Sequence, residues 1–219
     1  MKRAVVLLSG GIDSATTLYY ALNKGYQVFC LTFDYGQRHK KEIYSAKALT
    51  RSAKCRWRLL KVELPWKGSA LLDKRIKLPK GKKRRSNIPS TYVPGRNIIF
   101  LSYAVSYAET IGADAIFIGA NQVDYSGYPD CRLSFIEAFT DAINRGTKAA
   151  QKGKRLKIEA PLINKTKKDI IKAALRLKVP LKYTWSCYKG LRKPCARCDA
   201  CLIREEAFKR IGIQDPAYK

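Results

Sequence analysis

Five apolar residues, Ala4–Leu8, run directly into Ser9-Gly10-Gly11-Ile12-Asp13-Ser14, and a helical pattern follows to about Asn23, stopping near Gly25. Within that run Val5–Leu8, short, wholly apolar and ended by a glycine turn, reads as a strand buried on both faces. That junction constrains the chain more than any other feature. It requires a sheet covered by helices on both sides. The downstream pattern agrees, because strand and helix signals alternate, which argues for an α/β domain with a mainly parallel sheet. Further strands are expected at Gln27–Phe33, Arg58–Leu64 and Ala115–Gly119. Helices are expected at Lys40–Lys54, Asn97–Ile111, Leu133–Asn144, Lys165–Leu177 and near Ala200–Ile211. Pro65–Pro94 is irregular, basic and broken by prolines, and from Pro180 the pattern becomes rich in tyrosine and cysteine.

The Ser9–Ser14 turn suits an anion. At a strand–helix junction the backbone N–H groups point outward and the helix dipole adds partial positive charge. Gly10 and Gly11 let the main chain approach phosphate oxygens, and the Ser9 and Ser14 hydroxyls can donate to them. Asp13 would be odd as a phosphate ligand, so bracing the loop or holding magnesium suits it better. A plain Gly-Gly turn with Asp13 capping a helix is the competing reading. Neither a Walker A sequence nor G-x-G-x-x-G occurs. The sequence SGGxDS after a first strand resembles the PP-loop of the ATP pyrophosphatase superfamily. The resemblance implies ATP binding by Leu8, Ser9, Gly10, Gly11, Ile12, Asp13 and Ser14, with attack at the α-phosphate and release of pyrophosphate. It also implies a three-layer, Rossmann-like (HUP-type) domain over 1–180, with a C-terminal zinc-binding helical segment over 181–219.

Four further segments narrow the resemblance: Phe33–His39 (FDYGQRH), Tyr92–Asn97 (YVPGRN), Gly127–Arg132 (GYPDCR), and Ser186-Cys187-Tyr188 with the later cysteines. Together they resemble the 7-cyano-7-deazaguanine synthase (QueC) family from near the first residue to about Arg204. The implied chemistry adenylates 7-carboxy-7-deazaguanine with ATP, displaces AMP with ammonia, and activates the amide oxygen with a second ATP to leave a nitrile. Under that resemblance Ser9, Asp13, Arg38 and Arg96 are the catalytic candidates, since planar guanidinium groups suit phosphate and carboxylate. Gln37 and Asn97 would contact nucleotide or support a loop. Tyr125, Tyr128, Asp130 and Arg132 are the substrate candidates, with Asp130 either reading the guanine-like edge or capping the helix that follows it. His39 is the single histidine. Any imidazole acid–base step would use it, although a helix start suits capping or phosphate contact better.

Cys187, Cys195, Cys198 and Cys201 crowd into fifteen residues. Four thiolates at this spacing predict a closed, structural zinc site clamping a segment too short to bury its own core. An iron–sulfur cluster is the alternative metal reading. The apolar start is too short for a signal peptide, and no apolar run reaches the ~20 residues of a membrane span, so a cytoplasmic protein is expected. The net charge of +27 makes contact with polyanions physically reasonable without requiring it. The densest basic run, Lys74–Arg85, reads as a solvated loop dispensable for catalysis. The family resemblance further implies a homodimer with small-molecule substrates and no membrane association.

Overall fold

The computed structural model describes residues 1–79, 88–121 and 127–218. Strand β1 (Arg3–Leu7) alternates its side chains between two separate cores, which is why its sequence is apolar throughout. Ala4 and Val6 enter one core, joined by Leu8 just beyond the strand, and Val5 and Leu7 enter the other. The first core is closed by α1 (Ile12–Asn23), α2 (Lys41–Ser52), α6 (Lys167–Arg176) and α7 (Asp199–Lys209), through residues such as Leu18, Leu49, Ile170, Ile171 and Phe208. The second is closed by α3 (Arg96–Ile111) and α4 (Leu133–Gly146), through Leu101, Ala104, Ala108, Ile136 and Ile143. Two helical layers therefore sandwich one sheet, as expected.

The sheet has five parallel strands in the order β3-β2-β1-β4-β5, with β2 at Gln27–Asp34, β3 at Arg56–Lys61, β4 at Ala115–Phe117 and β5 at Lys157–Glu159. Val5 lies opposite Phe29 on one side and Ile116 on the other. The chain builds outward from β1 to β3, then returns to the opposite edge of β1. Such a reversal leaves a crevice at the carboxyl ends of the central strands, where ligands of open α/β sheets bind.

Four elements differ from the sequence expectation. β3 begins and ends earlier than predicted, because β2 ends at Asp34 and the last ladder bond runs from Val62 N to Asp34 O at 2.9 Å. Val62 and Leu64 continue the apolar alternation past the strand and pack into the second core. β5 and the single-turn α5 (Lys148–Gln151) were not expected; β5 exists through pairing with β4 and carries one apolar residue, Ile158. α6 starts at Lys167 because Thr166 and Asp169 form a reciprocal capping box. The described part of Pro65–Pro94 before α3 is irregular, and residues 80–87 of the basic run lie outside the described residues. No described helix is long and apolar enough to cross a membrane.

Candidate active site

A cavity of about 280 Å³ opens in the crevice beyond β1 and β4. Its floor is the Ser9–Ser14 loop. Ser9 and Ser14 close that loop on themselves: Ser9 N donates to Ser14 Oγ at 3.2 Å, the two hydroxyls lie 3.0 Å apart, and Ser14 Oγ donates to Gly11 O at 3.2 Å. The N-cap of α1 is Gly11, and no side chain caps the helix. Its first N–H groups are left for a ligand, the arrangement that binds anions at helix N-termini. Asp13 does not cap α1. Both its carboxylate oxygens accept from Lys167 Nζ at 2.7 Å, linking the start of α1 to the start of α6.

The loop is also held by its surroundings. Gly10 has φ +89°, and a Cβ there would lie 2.2 Å from the Glu42 carbonyl oxygen of α2. Its own carbonyl accepts from Trp185 N at 2.9 Å. At the end of β4, a Cβ on Gly119 would lie 2.9 Å from Ser14 N, so β4 approaches α1 as closely as backbone allows. Only glycine fits at either place.

Arg96 lines the cavity wall at the first position of α3, its Nη1 donating to Tyr35 Oη at 3.3 Å. Glu42, in the first turn of α2, lines the same wall; burial pushes its carboxyl up to about 7, while the Arg96 charge pulls it down. Tyr128 also reaches the cavity, with its hydroxyl 2.6 Å from Thr91 Oγ1. Gln37 and Asn97 reach it too, yet their amides brace loops. Gln37 accepts from Tyr35 N and donates to Phe33 O, and Asn97 Nδ2 donates to Asp130 O at 3.1 Å. Lys167, Glu42, Trp185 and Arg204 line the cavity without having been singled out by sequence.

Several expected residues are placed elsewhere. Arg38 turns its guanidinium to the carbonyls of Ala70, Asp73 and Ile76, so it organises the loop after β3 and does not line the cavity. Asp130 also stays outside the cavity lining. It caps a helix, but α3 and not the helix that follows it: Gly95 at the N-cap has no side chain, and Asp130 Oδ2 accepts from Asn97 N at 3.1 Å. Arg132 is exposed and does not line the cavity. His39 packs against Gly190, where a Cβ would lie 2.3 Å from its own, and it too is absent from the cavity lining. Tyr125 lies outside the described residues.

Behind the cavity wall, the sulfurs of Cys187, Cys195, Cys198 and Cys201 all lie within 4.8 Å of one another. Lys189 N and Cys195 N donate to Cys187 Sγ at 3.4 and 3.3 Å, and the Cys198 and Cys201 thiols hold Cys187 well below the usual thiol range. This knuckle could hold a metal ion. Trp185 Nε1 donates to Cys187 O at 2.8 Å, which joins the knuckle to the segment bonded to Gly10. On the other side Arg204 of α7, buried and paired through two bonds to Asp215, donates to Thr184 O and Ser186 Oγ.

A parallel sheet reversing at β1, with a serine-closed glycine loop before an uncapped helix, defines an α/β protein with an anion-binding loop at the start of its first helix. A 4-thiouridine synthetase crystallised with RNA and bound ATP shares this fold with a TM-score of 0.53 and 23% identity, over 95% of this chain and 53% of that one. The family follows from sequence. The profile described as "Queuosine biosynthesis protein QueC" matches residues 3–212, and the chain belongs to that enzyme family. It is 55% identical to a 7-cyano-7-deazaguanine synthase of Acetivibrio thermocellus, over 98% of this chain and 96% of the relative. It is 51% identical to that of Clostridium kluyveri, over 99% and 97% respectively.

Two substitutions separate loop packing from loop chemistry. Gly10→Ala meets backbone at a positive φ and should lower unfolding free energy by about 1–3 kcal/mol in urea titrations. A Cβ on Gly11 has Ser9 Oγ at 3.6 Å and Trp185 O at 3.7 Å, so Gly11→Ala should stay within about 1 kcal/mol of the parent while binding ATP more weakly in calorimetry.

Asp130→Ala should keep kcat/KM for the deazaguanine acid within a few-fold and lower the stability of α3 by about 1 kcal/mol. A hundredfold fall in kcat/KM at unchanged melting temperature would return Asp130 to the substrate.

Proposed function

We propose that the chain converts 7-carboxy-7-deazaguanine, ammonia and ATP into 7-cyano-7-deazaguanine, with AMP and pyrophosphate as the other products. The observation that carries this reading is the uncapped, serine-closed loop at the floor of the cavity, in a chain that belongs to the QueC family. The N–H groups at the start of α1 and the Ser9 and Ser14 hydroxyls hold the β- and γ-phosphates of ATP. Lys167 and Arg96 supply positive charge, and Asp13 orients Lys167 or takes a magnesium ion that accompanies the nucleotide. The substrate carboxylate attacks the α-phosphate, and preorganised charge stabilises the oxygens where negative charge collects. Ammonia then displaces AMP to give the amide. A second adenylation, on the amide oxygen, allows AMP to leave again and the nitrile to form. Tyr128 offers a flat face to the deazapurine ring. Arg38 supports this site from behind, through the loop it braces.

We assign zinc to the four cysteines. With Zn–S bonds of ~2.3 Å, a tetrahedral site separates sulfurs by about 3.8 Å, whereas an iron–sulfur core would force the thiolates further apart; sulfurs that all lie within 4.8 Å of one another support the smaller group. The ion would be structural, because four thiolates leave no position for water. It would stabilise the 181–219 segment and, through Trp185, the phosphate loop. The resemblance to the family supports a homodimer working in the cytoplasm.

Turnover should release two AMP and two pyrophosphate per nitrile, read by chromatography of the products. Accumulation of ADP and phosphate would overturn the mechanism.

Metal analysis should find one zinc per chain and no acid-labile sulfide. Chelation should weaken ATP binding before the sheet unfolds, whereas simultaneous loss of both would separate the metal from the loop.

A further inference from the structure

The cavity is built for anions, yet an acid, Glu42, lines it. Glu42 stands in the first turn of α2, where the backbone presses on Gly10 of the phosphate loop. Among the described residues its side chain accepts no hydrogen bond, in contrast to Asp13, the other acid of the lining. Asp13 is held by Lys167, and Asp215, behind the wall, is held by Arg204. The groups that face Glu42 are Arg96 from α3 and the Tyr35 hydroxyl after β2, and these two are bonded to each other. The other titratable groups of the lining are Asp13, Lys167, Arg204, Tyr128, Tyr188 and Cys131. A half-buried carboxylate at the wall of an anion cavity repels ATP and a carboxylate substrate. A chain with 44 basic and 17 acidic residues has little reason to place one of its few acids there unless a cation visits. Of the reactants in the proposed reaction, one is a cation: ammonium, the dominant form of ammonia at neutral pH.

We propose that Glu42 is the catalytic base of the amination step, capturing ammonium at the cavity wall and taking its proton. This deepens the functional reading above and rests on it. One N–H proton passes to Glu42 Oε, and the freed nitrogen lone pair attacks the acyl carbon of the adenylate. The C–O bond to AMP then breaks with its electron pair on the phosphate oxygen, which takes a second proton from the nitrogen as the amide forms. Glu42 returns its proton to solvent. A carboxyl held at about 7 is matched to this duty, since a base works best when its pKa lies near the working pH.

The test compares the parent enzyme with Glu42→Gln in separate half-reactions. Without ammonia, Glu42→Gln should release pyrophosphate from ATP and the deazaguanine acid within about threefold of the parent. With ammonium chloride at pH 7 its amide formation should fall by on the order of a hundredfold. Hydroxylamine, largely uncharged at pH 7 and in no need of a base, should trap the adenylate as hydroxamate at near-parent rates in both proteins. The parent's amide formation should rise as Glu42 ionises through pH about 7, whereas Glu42→Gln should recover at higher pH as free ammonia accumulates. Glu42→Asp, which retracts the base by one methylene, should fall between the two. If Glu42→Gln forms amide from ammonium at the parent rate, or loses pyrophosphate release equally, Glu42 is not the base. If the parent enzyme itself releases no pyrophosphate with this acid, the reading of the reaction fails instead, and the two failures are distinct.

Discussion

The site depends on the conformation of Gly10. Its positive φ turns the chain from β1 into α1, its missing side chain admits the Glu42 carbonyl, and its own carbonyl is taken by Trp185. One residue thus fixes the distance between the phosphate loop, the first turn of α2 and the segment leading to the cysteine knuckle. None of these contacts involves a ligand. The loop is preorganised by packing, and the N–H groups at the start of α1 are held in place before any anion arrives.

The knuckle contributes to the site without entering it. Its four sulfurs lie behind the wall, but Trp185 bonds to Cys187 on one side and Gly10 on the other. The buried Arg204–Asp215 pair repeats this support from α7, reaching the carbonyl of Thr184 and the hydroxyl of Ser186. A buried ion pair is a poor source of net stability, but it is directional, and here its remaining donors set the path of the wall. The C-terminal segment therefore does more than complete the first core with Ala207 and Phe208.

What could be read from the sequence follows from how local each signal is. β1 and its loop were legible because the apolar run, the two glycines and the helix that follows lie within about twenty residues. The cysteines were legible for the same reason. β5 was not, because a three-residue strand with one apolar member is defined by its partner. Lys167 was hidden among 44 basic residues, and its importance lies in Asp13, 154 positions away. That Asp130 caps α3 was not legible, because the glycine it compensates, Gly95, precedes it by a long stretch of chain. Arg38 was a candidate for phosphate or the substrate carboxylate from its motif; the carbonyls that hold it come from an irregular loop with no pattern of its own, so its bracing contacts were not legible.

The strand order carries a consequence for how the chain is made. β1 can pair with β2 as soon as about the first 35 residues are free, but its other edge waits for Ala115–Phe117. Over that interval an apolar strand edge, Ala4–Val6, stands open, and open edges invite pairing between unfinished chains. The segment synthesised meanwhile includes the basic run from Lys74. Like charge on neighbouring nascent chains keeps them apart while the edge is exposed. A net charge of +27 works against such pairing, because neighbouring chains repel one another.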